Sequence, residues 1–311
     1  MIKDISVIIL NYNSSEYTIN CIKSIQEQTS NQNSLEFIIV DNASNFEDYN
    51  NLKNFIDNSN IPSILLTRSR INTGFGTGNM QGVQFAQAKY YAFINNDTIL
   101  QNDCLSITRN FLEKNAEVAI CSPQQYDENG NVKKSFDHFL TLRRELFGRK
   151  ILEKTNPKKY PKRKKVYEQP VKVQSVPGSF MVIKSEAFDN VGGFDTNIFL
   201  YYEETDLCYR ISKHKNTSNE CYLVPEAKYT HFTGKSTKPG IPIAKELKIS
   251  LLYVIKKNSG YLHYLILRTF LTLKFLLKAP FKKKNLVLFN LLVKGAPLSE
   301  SLKHKQVIAK Q

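Results

Sequence analysis

Cysteine is scarce and unpaired in this sequence. Cys21, Cys104, Cys121, Cys208 and Cys221 are scattered, with no C-x-x-C among them. That excludes a disulfide framework or a zinc ribbon and reads as reduced thiols in a cytosolic compartment. A signal peptide is lacking too: the apolar run in the first ten residues is short and carries Asp4. The sequons at Asn13, Asn96 and Asn216 then read as chance matches. No apolar run is clean enough to span a bilayer. The densest stretch, residues 249–277, is interrupted by His263, Arg268 and Lys274, whereas a span wants roughly 20 apolar residues with few charges. The Gly-Lys-Ser/Thr ending of a P-loop, the dinucleotide fingerprint and any nucleic-acid recognition motif are all missing. Acids are thin in the middle, where residues 133–172 hold only Asp137, Glu145, Glu153 and Glu168 among many lysines and arginines.

What is present is enough for a core: 311 residues, 41% of them hydrophobic, with a net charge of +15. One large or two modest domains fit this length. The charge invites an anionic partner, and nucleic acid, phospholipid and phosphorylated substrates all qualify. It is concentrated in the middle and in the last forty residues, while the first hundred are close to balanced. A basic run is often only a solvated face, so charge does not choose among these partners.

The first third alternates buried strands with helices. Residues 5–10 (I-S-V-I-I-L) read as a buried parallel strand ending in Asn11 and Tyr12. Helical spacing follows over 17–28. A second strand, 37–40, ends at Asp41 and Asn42, then a helix at 51–57 and a strand at 63–66. The run N-T-G-F-G-T-G-N-M-Q-G begins at Asn72 and includes Gly76; its glycines permit close backbone approach to a ligand. It is expected to open a helix over 80–89. The apolar run 90–94 then ends abruptly in Asn95, Asn96 and Asp97. Strand–helix–strand order implies right-handed crossovers and a parallel sheet. Such a sheet lines its strand ends along one crevice, where open α/β sheets place ligands. Singly, each polar end is also explained by a turn or a helix cap. A carboxylate at Asp41 suits a base N–H or ribose hydroxyl, and one at Asp97 suits a hard divalent cation carrying phosphate oxygens.

Further on, 118–123 reads as a strand ending at Pro123. Residues 133–171 read as a basic insertion with partial helix near 139–152 and a mobile loop after it. The alternatives are a disordered solvated run or a basic rim for a diphosphate-bearing acceptor. A strand with a Pro-Gly bend is expected at 176–183. Next comes F-L-Y-Y-E-E-T-D-L-C-Y-R, in which Glu203, Glu204 and Asp206 crowd the start of a helix over 205–211. The helix dipole eases their charge, and Asp206 with Arg210 is spaced for an i,i+4 pair. The plain reading is an acidic helix start held by salt bridges. Transfer to a hydroxyl, however, needs a base that takes its proton, and a carboxylate at a crevice wall can serve. Cys208 reads as a small core residue. The tail reads as a cationic amphipathic helix on anionic lipid, or as helices packed on the catalytic domain or a second subunit.

Taken in order, S-V-I-I-L-N-Y-N, I-I-V-D-N-A-S, N-T-G-F-G-T-G-N, F-I-N-N-D-T and the E-E-T-D-L-C-Y-R segment resemble the family-2 glycosyltransferases, in their bacterial rhamnosyltransferase-like branch. The resemblance implies an inverting enzyme with an α/β GT-A fold: a mostly parallel central sheet flanked by helices, with a C-terminal helical extension. It implies a catalytic domain over 1–240 (nucleotide-binding half 1–125, insertion 133–172, acceptor half 173–240) and a basic helical tail over 241–311. Glu204 maps to the catalytic base, where relatives often carry Asp. The strand-end acidic motif, often D-x-D, is Asn95-Asn96-Asp97 here, so only Asp97 matches. An H-x-x-G-x-S-like pattern matches at His231, Gly234 and Ser236, which makes Asp97 and His231 the expected ligands of Mn2+ or Mg2+. Asn11, Tyr12, Asp41, Asn42, Asn72, Gly76, Asn95, Asn96, Asp97 and Glu203 are the expected nucleotide-sugar-binding residues. The implied donor is a dTDP-rhamnose or UDP-hexose type nucleotide sugar. The acceptor is a saccharide or lipid-linked saccharide for a bacterial surface polysaccharide, met at the inner face of the cell membrane. A homo-oligomer is compatible with the sequence. The competing readings are a basic nucleic-acid-binding protein and a catalytically silent lipid-bound scaffold.

Overall fold

The computed structural model describes residues 3–214, 219–232 and 240–308. Its strands are β1 (Lys3–Asn11), β2 (Leu35–Asn42), β3 (Ile64–Ser69), β4 (Ala88–Asn95), β5 (Thr98–Leu100), β6 (Val118–Tyr126), β7 (Val171–Val173), β8 (Phe180–Lys184) and β9 (Glu220–His231). The helices are α1 (Ser15–Gln28), α2 (Phe46–Asp57), α3 (Gly74–Val83), α4 (Cys104–Lys114), α5 (Leu142–Phe147), α6 (Arg149–Thr155), α7 (Ser185–Asp189), α8 (Glu203–Lys213), α9 (Ile241–Ser259), α10 (Tyr261–Leu276) and α11 (Lys283–Val293). All nine strands join one sheet in the order β3-β2-β1-β4-β8-β6-β9-β5, with β7 also on β9.

The first half is parallel, as strand–helix alternation requires: β1 pairs with β2 and β4, and β2 with β3, all parallel. Beyond β4 the sheet is mixed. Strand β8 is antiparallel to β4 and β6, whereas β6 and β9 run parallel. The expected mostly parallel order therefore stops at β4, inside the nucleotide-binding half expected over 1–125. The reason is local: the chain enters β8 from the insertion rather than from a crossover helix.

Both faces of the sheet are covered. Val7, Ile9, Phe37, Ile39, Ala92 and Ile94 pack on the α1 and α4 side, while Ile8, Ile38, Val40, Tyr91 and Phe93 pack on the other. Successive side chains point to opposite faces of a strand, so a doubly covered strand must be apolar throughout.

Three expectations need correction. The glycine-rich run does not precede a helix at 80–89; it is the helix, α3. Gly82 lies against Ile8, and a methyl there would come within 2.7 Å of its side chain. The glycines thus let α3 settle onto the sheet. The basic insertion is not a solvated run: Phe136, Leu140, Arg144 and Leu152 are buried. Asp137 gathers Arg144 at 3.4 Å, Arg149 at 2.7 Å and Arg163 at 3.3 Å. Finally, β6 runs past Pro123 to Tyr126. In the tail, α9, α10 and α11 build a third core around Ile249, Leu252, Leu267 and Leu292, which also takes in Leu140 and Ile198. Among the described residues, no helix is long and apolar enough to cross a membrane.

Candidate active site

The parallel register sets Asn11 opposite Asp41 and Leu10 opposite Asn95, so three strand ends meet on one line. The chain leaves β1 and β2 through left-handed backbone at Asn13 (φ 50°) and Ala43 (φ 69°), and after β3 it enters α3 through left-handed Gly74 (φ 81°). Gly74 is obligatory. A Cβ there would sit 2.0 Å from the Phe199 carbonyl oxygen, which accepts the Phe75 N–H at 3.0 Å.

Period-two alternation then divides the polar ends between the two faces of the sheet. Tyr12, Asn42, Asn72, Gly74, Asn95 and Asn96 line a crevice of about 350 Å3, with Leu10, Phe75, Phe199 and Leu200 as its apolar walls. Asn11 and Asp41, expected here, turn to the α1–α2 side and are fully buried. The Asn11 amide donates to Asp41 at 3.0 Å, Ser44 at 3.1 Å and Asp48 at 2.8 Å. Asp41 also faces Arg68 at 3.3 Å. These two residues brace the loops instead of presenting to the crevice. Asn42 is largely consumed as well. Its carbonyl oxygen accepts the Thr73 N–H at 2.9 Å, and its amide donates to Asn72 and the Gly74 carbonyl, both at 3.2 Å. Gly76 lies within α3 under Phe194 and Glu203, so its backbone is a packing surface.

At the end of β4, Asn96 spans both sides. It lines the crevice, and its amide donates to Ser14 Oγ at 2.7 Å and Thr18 Oγ1 at 2.9 Å. Asp97 meets His231, the last residue of β9, with Nε2 3.0 Å from Oδ1. The sequence separates this pair by more than a hundred residues. Gly234 and Ser236 lie outside the described residues. Two ligands on neighbouring positions of a small octahedral cation sit about 3 Å apart, so the donor set fits a shared divalent ion. Among the described residues, no group of three or more His, Cys, Asp or Glu gathers for a metal. Such a pair therefore leaves most positions to phosphate oxygens and water, as magnesium sites do. Gln125, which the sequence reading missed, approaches His231 Nδ1 at 3.2 Å. Its amide orientation decides which ring nitrogen carries the proton.

Glu203 and Glu204 open α8. The two residues before them, Tyr201 (φ 75°) and Tyr202 (φ 70°), are both left-handed. Each costs of order 1–2 kcal/mol for a residue with a Cβ, and such strain gathers at functional sites. Asp206 anchors the turn from below: Arg210 lies at 2.7 Å, Lys257 at 2.9 Å and the Asn258 amide at 3.1 Å. The expected i,i+4 pair is therefore part of a buried network tying α8 to α9.

The two glutamates differ. Glu203 is buried, with Oε2 lacking a hydrogen-bond partner. Burial, then the neighbouring Glu204, pushes its carboxyl well up. Glu203, expected to bind the donor, is not among the side chains that line the crevice. Glu204 is half-buried and lines a cavity of about 200 Å3 with Lys134, Asp137, Arg163 and Pro177. Burial raises its carboxyl to about 7, with Asp137 adding to the rise while Arg144 and hydrogen bonds oppose it.

Asp97 and Glu204 line separate cavities. They are joined by the bend ahead of β8. A side chain at Gly178 would touch both Phe75 and Glu204. Next to it, the Ser179 carbonyl accepts the Asn95 N–H at 2.9 Å. Ser179 Oγ also bonds Tyr229 at 2.8 Å, and Tyr229 donates to Gln125 at 3.3 Å. A polar chain thus runs from Ser179, next to the Gly178 bend, through Tyr229 and Gln125 to His231.

Comparison with known proteins places the chain in a family. The sequence profile of Glycosyl transferase family 2 matches residues 6–192. Over 232 residues the chain is 27% identical to the low-salt glycan biosynthesis hexosyltransferase Agl10 of Haloferax volcanii, covering 72% of this chain and 66% of that protein. It is 33% identical over 86 residues to an N-acetylglucosaminyl-diphospho-decaprenol L-rhamnosyltransferase of Mycobacterium tuberculosis, covering 27% of each chain. The chain thus spans less than two thirds of these relatives' length. In fold it is similar to the mannosyltransferase PcManGT of Pyrobaculum calidifontis, solved with GDP-Man and Mn2+ (TM-score 0.59, 12% identity, 96% of this chain and 87% of that one). It is also similar to GalNAc-T7, solved with UDP, GalNAc and Mn2+ (TM-score 0.58, 16% identity, 82% and 48%). With the profile covering more than half of its length, on a GT-A fold, the chain belongs to the family-2 glycosyltransferases.

Proposed function

We propose that this enzyme moves a hexosyl or deoxyhexosyl unit, with inversion, from a nucleotide diphosphate sugar to a hydroxyl of a saccharide or lipid-linked acceptor. The observation that carries this reading is the paired placement of its two kinds of acidic group. Asp97 and His231 meet two residues beyond Asn95, whose N–H donates to the Ser179 carbonyl, and Glu204 lies beside the neighbouring Gly178 with its carboxyl raised to about 7. A carboxylate poised near neutrality suits removal of the acceptor proton as the oxygen attacks the anomeric carbon. Glu204 takes the proton, the new C–O bond forms on one face of the sugar, and the nucleoside diphosphate leaves from the other. Asp97 and His231 would hold a manganese or magnesium ion; when bound, it supplies charge stabilisation to the departing diphosphate.

Crevice size and lining support a nucleoside in the space bounded by Tyr12, Asn42 and Asn72. The exposed Lys134 beside Glu204 supports an acceptor carrying phosphate. A hexosyltransferase, a rhamnosyltransferase and the abequosyltransferase RfbV of Salmonella typhimurium among the relatives support a glycan-building role with a dTDP-rhamnose or UDP-hexose type donor. On α10, the apolar side chains Leu262, Ile266 and Leu273 are exposed on one helical face that runs on to Leu277, near Lys282, Lys283 and Lys284. That combination supports peripheral contact with an anionic membrane surface.

The test is a thermal-shift panel of UDP-, dTDP- and GDP-sugars with and without Mn2+. A ligand at about a hundred times its Kd should raise the melting temperature by roughly 4 °C. The metal-dependent part should vanish in Asp97→Ala. No shift with any nucleotide sugar under either condition would refute the donor assignment.

A further inference from the structure

The crevice has a wall that comes from the far end of the chain. After α11 the backbone turns through left-handed Gly295 (φ 86°) and Ala296 (φ 46°). A strap over residues 297–306 then lies across α9 in two short 3-10 turns, Leu298–Glu300 and Leu302–Lys305. The strap is fastened. Glu246 of α9, only 1% exposed, uses both carboxylate oxygens on it, accepting from Ser301 Oγ and from the Leu302 N–H, each at 2.8 Å. Lys245 pairs with Glu300 at 2.8 Å, and the Lys303 ammonium donates to the Thr196 carbonyl. So held, Leu302 and Gln306 line the same crevice as Tyr12, Asn42 and Asn72, joined by Ile243 of α9. The crevice measures about 350 Å3 with the strap in place. The strap is therefore a wall of the site and not a plug.

We infer that Leu302 and Gln306 contact the nucleoside of the donor, and that Glu246 is the positioning residue that sets the strap against it. This rests on the donor reading given above. A nucleoside has flat apolar faces and polar edges. The crevice offers the matching surfaces: Leu10, Phe75 and Leu302 for a face, and Asn72 and Gln306 for an edge or a ribose hydroxyl. The Gln306 amide nitrogen donates to the Leu302 carbonyl at 2.9 Å, which fixes where its side chain lies. These residues lie about a hundred positions beyond the stretch matched by the family profile. Donor preference would then be set partly outside that stretch.

The test measures Kd for UDP, dTDP and GDP, with Mn2+, on the full chain carrying Leu302→Ala, Gln306→Ala or Glu246→Gln. Removing one hydrogen bond or one apolar contact should weaken nucleotide binding about fivefold to tenfold. With a turning-over acceptor, donor KM should rise by the same factor while kcat and acceptor KM move less than twofold. Leu302 and Gln306 are half-buried on the strap, so both variants should melt within a few degrees of wild type; Glu246→Gln should bind nucleotide more weakly and melt lower. Unchanged Kd, within twofold, in both Leu302→Ala and Gln306→Ala while the wild type binds nucleotide would overturn the strap assignment alone. If the wild type binds none of the three nucleotides, the donor reading fails and the strap assignment falls with it.

Discussion

Replacing Glu204 with glutamine removes the proposed base while keeping the side chain's size, and the structure sets the size of the effect. Glu204 is raised to about 7, first by burial and then by the negative charge of Asp137, against the pull of Arg144 and of hydrogen bonds at the start of α8. A base must be deprotonated to act. The rate should therefore climb as pH rises through 7 and level off above it. One unit below that value about a tenth of the enzyme is competent and one unit above about nine tenths, so kcat/KM should rise roughly tenfold between pH 6 and pH 8. Glu204→Gln should lower kcat by about a hundredfold to ten-thousandfold, the usual worth of a positioned general base. Nucleotide Kd should stay within twofold, because Glu204 lies outside the wall of the donor crevice. Glu204→Asp should keep part of the activity, since the carboxylate remains but is drawn back by one methylene. The assay is initial-rate transfer across pH at saturating Mn2+, with nucleotide affinity measured in parallel. Stability carries the opposite sign. A carboxyl whose folded-state pKa is raised binds its proton more tightly in the native state, so its contribution falls as pH rises from the ordinary glutamate range towards 7. Glu204→Gln should therefore melt no lower than wild type at pH 8. A glutamine variant that turns over within tenfold of wild type, or a flat profile from pH 6 to 8, would remove Glu204 from the chemistry.

Gly74→Ala should lower stability by about 2–4 kcal/mol, combining the left-handed backbone penalty with overpacking against the Phe199 carbonyl. At roughly 1.5 °C per kcal/mol for a chain of this size, a melting scan should show a loss of at least about 3 °C; a shift under 1 °C would contradict the close approach of α3 to residue 199. The double variant Ile266→Asp, Leu273→Asp places two charges on the exposed face of α10, where the wild-type side chains are 43% and 56% exposed. Sedimentation with phosphatidylserine vesicles should drop about tenfold or more while nucleotide affinity holds; equal partitioning of the two proteins would end the membrane assignment of that face.

Why the sequence located the strand ends but misassigned some of their side chains is a matter of periodicity. Buried parallel strands must be apolar on both faces, so β1, β2 and β4 stand out as continuous runs, and their polar ends are conspicuous. Polarity alone does not say which way an end residue turns. Ile8 and Leu10 face the α3 side of the sheet, and so do Ile38 and Val40. Counting by two from these residues, and on β4 from Phe93, sends Tyr12, Asn42 and Asn95 to the crevice and Asn11 and Asp41 to the side of α1, while Asn96 reaches both. The observed bonds follow that division: Asn11 to Asp48, Asp41 to Arg68, Asn96 to Thr18. The same count, applied to the sequence, was available and would have separated bracing residues from lining ones. Other features had no such local signal. Asp137 meets arginines 7, 12 and 26 positions later across an irregular segment, so a run that looks solvated by composition folds into a neutralised cluster beside Glu204. Gln125 reaches His231 only because β6 and β9 are neighbours in the sheet. The strap depends on Glu246, which reads in sequence as one more charge on an amphipathic helix; its burial, and hence its two hydrogen bonds to residues 301 and 302, follows from the packing of α9 against the rest of the chain. Motif and pattern thus reach as far as a residue's neighbours are set by its own strand or helix. The parts of this site that would distinguish one donor or acceptor from another sit where elements distant in sequence are brought together.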